Sequence, residues 1–132
     1  MHASGAIFDQ QGRILLVREA NRYQDWDLPG GGILPEEAPW DAAVREVHEE
    51  CGIIVVPTAI LGAFLSRIEP GKGLNVVWIC EWIDGKLQPQ AGEIAEIGWF
   101  SEGTLPTPIL PARLPVILSA LRGERGVYRT LE

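Results

Sequence analysis

The sequence predicts an α/β domain in which a β-sheet lies between helices, and three observations lead there. On a strand over residues 74 to 83, Val76, Trp78, Cys80 and Trp82 share one face while Val77, Ile79 and Ile83 share the other. Both faces are apolar, so each needs a cover. Pro39 and Gly52 bracket a helix over residues 39 to 51 whose Trp40, Ala43, Val44, Val47 and Cys51 form one packing stripe. The apolar stretch from 114 to 121, ended by Arg122 and Gly123, supplies a helix for the opposite face. With 132 residues the chain forms one domain, residues 1 to 132, large enough to bury about two thirds of its unfolded surface.

In chain order, residues 3 to 8 and 13 to 18 read as strands joined by the polar turn Asp9, Gln10, Gln11, Gly12, that is, as a hairpin. The second strand ends in Arg18 and Glu19; Arg18 is either a phosphate contact beside the glycine turn or a solvated strand end. Polar residues 20 to 25 lead to Trp26, Asp27, Leu28 and Pro29, with Leu28 packing inward. Tyr23 and Trp26 could stack on a base, although packing in the core or the loop suits both better. After the glycines and the first helix, residues 57 to 67 and 74 to 83 form a second hairpin across Glu69, Pro70, Gly71, Lys72 and Gly73. Asp84 and Gly85 mark a tight turn, residues 97 to 100 form a late strand preceded by Glu93 and Glu96, and residues 106 to 115, with four prolines, form an irregular connection. There is no internal repeat or linker.

The helix at 39 to 51 also carries Glu46, Glu49 and Glu50 on a second stripe, and like charges at this spacing cost about 0.2 to 0.5 kcal/mol per pair. Arg45 borders the stripe and can neutralise one of the charges but cannot reach all three. Magnesium, a hard ion that takes a few carboxylates together with substrate phosphates, suits the remainder; by itself the E-x-x-E-E pattern reads more readily as a solvated acidic face. The turn Gly30, Gly31, Gly32 would let backbone approach the same ion or a phosphate. A net charge of −7 argues against a nucleic-acid backbone as partner, though a bound cation admits a small phosphate. Cys51 and Cys80 have no metal spacing and read as reduced core residues. The N-terminus lacks a signal-like run, and no stretch approaches the roughly 18 apolar residues of a membrane span, so the expectation is a cytoplasmic protein without a membrane partner.

Residues 31 to 53 resemble the Nudix box, G-x(5)-E-x(7)-R-E-U-x-E-E-x-G-U with U aliphatic, at Gly31, Glu37, Arg45, Glu46, Val47, Glu49, Glu50, Gly52 and Ile53. The resemblance implies an α/β/α sandwich with a mixed sheet. It also implies a hydrolase that uses Mg2+ or Mn2+ to cleave the diphosphate of a nucleoside diphosphate linked to another group. Glu46, Glu49 and Glu50 would hold the metal, with the Gly30 carbonyl as a further ligand, and Glu37 would pair with Arg45 to hold the loop on the helix. Many members read G-G-x-x-E-x-G-E through the loop; here Leu34 replaces the inner Glu and Glu36 the Gly. The attacking water would lose its proton to Glu46, Glu93 or Glu96. In extended chain, residues an odd number apart face opposite ways, so one of Glu93 and Glu96 should matter more. Gly92 suggests a mobile loop, which favours Glu93 as the base and Glu96 as a strand-edge residue. Nucleoside triphosphates, dinucleoside polyphosphates and nucleotide sugars are all candidate small-molecule substrates, and a homodimer is allowed. The rival class is a Nudix-like module that binds a nucleotide without turnover, but such modules usually lose part of the glutamate set that this chain keeps.

Overall fold

Helix α1 runs over Pro39–Cys51, the bounds read from the sequence. Ala38 is extended, Pro39 enters with its φ already suited to a helix, and Gly52 stops the helix at φ +78, its N–H closing on the His48 carbonyl. The second helix, α2, spans Leu114–Leu121. The computed structural model describes residues 1–132, and the strands are β1 (His2–Ile7), β2 (Ile14–Glu19), β3 (Trp26–Asp27), β4 (Gly30–Gly32), β5 (Ile53–Ser66), β6 (Gly73–Gly85), β7 (Ile94–Phe100) and β8 (Val127–Leu131). No helix is long and apolar enough to cross a membrane.

The strands divide into two sheets. A five-stranded mixed sheet has the order β4-β1-β6-β5-β8, and a three-stranded antiparallel one has β3-β2-β7. This corrects the expected β1–β2 hairpin. The Asp9 turn exists, closed by Asp9 N–H to Arg13 O at 2.9 Å, but the strands share only the bridge of Phe8 with Ile14. Both edges of β1 are taken, by antiparallel β4 and parallel β6, so β2 has no edge to join and pairs with β3 and β7 instead. The second hairpin, β5–β6, forms as expected and starts earlier, at Ile53. Pro57, the expected start, sits at one of its bulges, where a missing N–H is tolerated. Asp84 and Gly85 do not turn the chain. Gly85, at φ +85, still pairs with Ile53, and β6 ends where a Cβ on Gly85 would lie 2.7 Å from the Gly52 carbonyl. Strand β8 was not anticipated, although Val127, Tyr128, Thr130 and Leu131 after Gly126 favour extended chain.

The two apolar faces of β6 are covered as the alternation requires. Val77 and Ile79 join Leu61, Phe64 and the α2 residues Val116, Ile117 and Ala120. Cys80 joins Val47 and Cys51 of α1 with Ile7, Leu15, Val17 and Ile53. Cys51 and Cys80 are free and buried. Beyond the helices the strand overhangs, leaving Trp82 and Ile83 40% and 56% exposed. Trp40 also departs from the expected stripe. It lies half-exposed at the first turn of α1, edge-on to Trp78 at 5.7 Å, while Ala42 is buried with Ala3 and Ala43.

Candidate active site

The glycine turn and α1 are joined by one arginine. All five N–H donors of Arg45 are used: Nε and Nη2 meet Glu37 at 2.8 and 2.9 Å, Nη2 also meets the Gly32 carbonyl at 2.9 Å, and Nη1 meets Glu46 at 2.9 Å and Glu49 at 3.3 Å. Arg45 therefore bonds two of the three stripe glutamates, where one was expected, in addition to Glu37. Its hydrogen bonds hold the Glu37 carboxyl below the usual range, helped by the Leu34 N–H. Gly31 is pressed on Glu46 so closely that a Cβ would lie 2.5 Å from the carboxyl carbon. The left-handed backbone at Glu36, φ +66, is retained although the chain has no glycine there.

Glu50 is different from its neighbours. It is only 8% exposed, and its Oε1 accepts the Gly30 N–H at 2.7 Å. Burial pushes its carboxyl up to about 8, against the pull of that N–H and with Glu19, Glu46 and Asp27 adding to the rise. Glu19 is the residue the sequence reading passed over. Leu15 and Val17 of β2 pack toward α1 and Ile14 and Leu16 away from it, so strand alternation turns Glu19 to the acidic helix and Arg18 to the other side. Burial raises Glu19 to about 7, with Asp27, Asp25, Glu93 and Glu46 adding charge repulsion.

Beside these carboxylates lies a cavity of about 170 Å³ lined by His2, Ser4, Glu19, Asp27, Leu28, Gly30, Gly31 and Arg113. Asp27 is raised to about 6 by burial, against the opposing pull of Arg113. Arg113 reaches it through Nε at 3.2 Å. Burial and the Arg113 charge lower the His2 pKa, favouring the neutral ring. No local signal marks Arg113; it arrives because the proline-rich run is tied to β3 through Trp26 N–H to Pro108 O at 2.9 Å. A larger hollow of about 530 Å³ lies at the other end of β1, between Phe8, Trp82 and Trp99, away from the carboxylates.

The remaining candidates are placed as follows. Arg18 is the strand-end residue of its two readings, bonded to Glu96 at 3.1 Å and Gln24 at 3.3 Å, and it does not line the cavity. Trp26 is core, not a base-stacking platform, since it is 6% exposed and set edge-on to Phe100 at 5.1 Å. Glu96 lies within β7, which begins at Ile94, three residues earlier than expected. Glu93 sits in the turn just before it, its charge felt at Glu19. That turn is anchored, not free: Gln88 and Gln90 N–H cap the Cys51 and Glu50 carbonyls of α1 at 2.8 and 3.0 Å, and Ala20 N–H binds the Glu93 carbonyl at 2.9 Å.

In this arrangement no three acidic, imidazole or thiol side chains converge as a ready ligand set, because Arg45 holds Glu46 and Glu49 while the Gly30 N–H holds Glu50. The Gly30 N–H is thus spent on Glu50, leaving its carbonyl free of that contact. The donor chemistry nonetheless fits a hard divalent cation: hard oxygen donors, two of them on carboxyls raised by burial and by neighbouring carboxylates, neither bonded to Arg45.

Comparison with known proteins agrees with this geometry. The model of the NUDIX domain matches residues 1–119. The chain is 44% identical over 63 residues to human diphosphoinositol polyphosphate phosphohydrolase 3-alpha, a stretch covering 47% of this chain and only 38% of the human protein. It is 30% identical over 136 residues to a Bacillus subtilis (strain 168) protein provisionally named an 8-oxo-dGTP diphosphatase, covering 100% of this chain and 89% of that one. Among solved structures, an ADP-ribose pyrophosphatase from Streptococcus suis 89-1591 superposes with a TM-score of 0.80 at 28% identity, covering 98% of this chain and 96% of the other. A MutT NUDIX hydrolase from Burkholderia pseudomallei gives 0.77 at 27% identity, over 89% and 95%. With its box complete, its fold shared and its family model matched nearly end to end, this chain belongs to the Nudix family of hydrolases.

Proposed function

We propose that the chain is a pyrophosphohydrolase dependent on Mg2+ or Mn2+ that cleaves the diphosphate of a nucleoside diphosphate linked to another group. The observation that carries this reading is buried Glu50 with half-buried Glu19 close enough for its charge to raise Glu50, beside Glu46 and with no cation of the protein bonded to either. Glu46, Glu49 and Glu50, with the Gly30 carbonyl, would hold the ion, and Glu19 joins them. Bound there, the ion lowers the pKa of a water and stabilises charge on the phosphate oxygens. Glu37 and Arg45 keep Gly31 and Gly32 against α1, so that backbone can approach the phosphates closely. Glu93, at the anchored turn beside Glu19, takes the proton of the attacking water. Names of relatives that act on 8-oxo-dGTP, ADP-ribose or diphosphoinositol polyphosphates support a phosphoric anhydride as the scissile bond. The reading includes a small nucleotide as substrate and the cytoplasm as compartment.

The test is a panel of nucleoside triphosphates, dinucleoside polyphosphates and nucleotide sugars with either ion, the products read by chromatography. Glu49→Gln and Glu50→Gln are expected to abolish turnover with circular dichroism unchanged. Near-normal rates in either at saturating metal sink the assignment. A wild-type chain that binds nucleotides and cleaves none is instead a binding module.

A further inference from the structure

Arg113 is a charged residue that its helix does not call for. It occupies the N-cap of α2 and makes no side-chain cap bond there, a position that prefers Ser, Thr, Asp or Asn and whose partial positive charge disfavours a cation. The backbone nonetheless holds it firmly, its N–H on the Leu110 carbonyl at 2.8 Å and its own carbonyl accepting from Val116 and Ile117 at 3.0 and 3.1 Å. The side chain is only 13% exposed, and its one ion-pair partner is Asp27, 3.2 Å from Nε. Asp27 spends its other oxygen on the Leu28 N–H at 2.7 Å. Carboxylate contact at Nε alone leaves the four Nη hydrogens uncommitted, and the guanidinium lines the cavity that Glu19, Gly30 and Gly31 also line. The other arginines near the site are committed elsewhere, Arg45 within the box and Arg18 to Glu96.

We propose that Arg113, aimed by Asp27, grips the non-bridging oxygens of the phosphoryl group farther from the metal carboxylates, so that the scissile diphosphate spans from the box to the start of α2. The inference rests on the pyrophosphohydrolase reading of the same site. A planar guanidinium with free parallel donors matches a phosphoryl group in geometry and charge. The cavity supports that scale: at about 170 Å³ it falls below the roughly 300 Å³ of ordinary small-molecule pockets. It holds the charged middle of a nucleotide while the rest extends outside. Without Arg113 a diphosphate would meet Glu19 and Asp27 from this side with no fixed cation opposite the metal.

The test uses the full chain with Mg2+ and a methylene-bridged adenosine diphosphate, which binds without being cleaved, titrated by calorimetry alongside wild-type kinetics on the substrate panel. Arg113→Met is expected to weaken analogue binding by about tenfold or more and to raise KM more than it lowers kcat, with Mg2+ affinity within twofold of wild type. Arg113→Lys, which keeps a point charge and guards against misfolding of the Met variant, is expected to recover part of the loss. Asp27→Asn is expected to weaken the analogue less, Asp27 being a positioning residue. Analogue binding within twofold of wild type in both Arg113 variants overturns the assignment while leaving the activity standing. A wild-type chain that binds the analogue without cleaving any compound overturns the activity while Arg113 is still tested, and one that binds no analogue overturns both.

Discussion

Three adjacent glycines predict three different outcomes when each is changed to alanine. None has a positive φ, so differences must come from what the new methyl meets. At Gly31 it would lie 2.5 Å from the Glu46 carboxyl carbon and 2.6 and 2.7 Å from its oxygens. Ordinary contact needs about 3.4 Å or more, so the carboxyl must retreat by roughly 1 Å, a displacement that costs about 100-fold in catalysis. The retreat also loosens the 2.9 Å bond from Arg45, worth about 1 kcal/mol for a partly exposed pair. The lower entropy of the unfolded alanine chain returns about 0.4 to 1 kcal/mol. Gly31→Ala should therefore fold almost as stably as wild type and lose about two orders of magnitude in kcat/KM. At Gly32 the methyl meets nothing within 4 Å, so Gly32→Ala should gain about 0.5 kcal/mol and keep its rate within about threefold. At Gly30 it would strike the Ser4 side chain and approach Ala3 O at 2.5 Å and Ser4 Cα at 2.8 Å, backbone that cannot move without breaking the β1–β4 pairing. Gly30→Ala should lose about 3 kcal/mol or more. Urea melts and steady-state kinetics separate the three; equal losses of rate in Gly31→Ala and Gly32→Ala would refute the reasoning.

Glu36→Gly relieves the left-handed backbone at φ +66, worth about 1 to 2 kcal/mol less the added entropy of the unfolded chain, so the melting temperature should rise by a few degrees; a fall would mean that the Glu36 side chain stabilises the turn. Because Glu50 and Glu19 are raised to about 8 and about 7 from 4.5, the folded state holds their protons more tightly than the unfolded one. The stability this contributes is fully present below about pH 4.5 and drains away up to about pH 8, a loss on the order of 2 to 4 kcal/mol in chelator. Millimolar Mg2+ or Mn2+ should restore it at pH 8 and not at pH 5, since the ion takes only ionised carboxylates; urea melts that are flat across this range, or insensitive to metal, contradict the reading of Glu50 and Glu19 as raised carboxyls. Glu93→Gln should lower kcat by about two orders of magnitude with metal affinity unchanged, whereas Glu96→Gln should do little. The reverse result would move the base to Glu96, and two silent variants would place it within the box.

What could be read along the chain was whatever a few neighbouring residues decide. Pro39 and Gly52 set the ends of α1, because a proline's φ and a left-handed glycine act within one turn, and the α2 limits and the β5–β6 hairpin came from the same short-range rules. The Glu37–Arg45 pair was implied by the family resemblance, and the fold forms it. Family resemblance rested on the same residues.

Tertiary structure decided what depends on partners far apart in sequence. Asp9 to Gly12 do turn the chain, but whether β1 and β2 then pair was settled by β6 and β4 claiming both edges of β1. Three glutamates on one helix look alike in sequence; only packing against the glycine turn and β2 buries Glu50 and leaves Glu49 to solvent. Glu19 joined them because β2 presents alternate residues to α1, and Arg113 met Asp27 because a proline-rich segment was pinned to β3. Burial and charge are properties of a place in space, summed over every segment that reaches it, so the helix that carries the box was determined by its own residues and the chemistry of its glutamates by the rest of the fold.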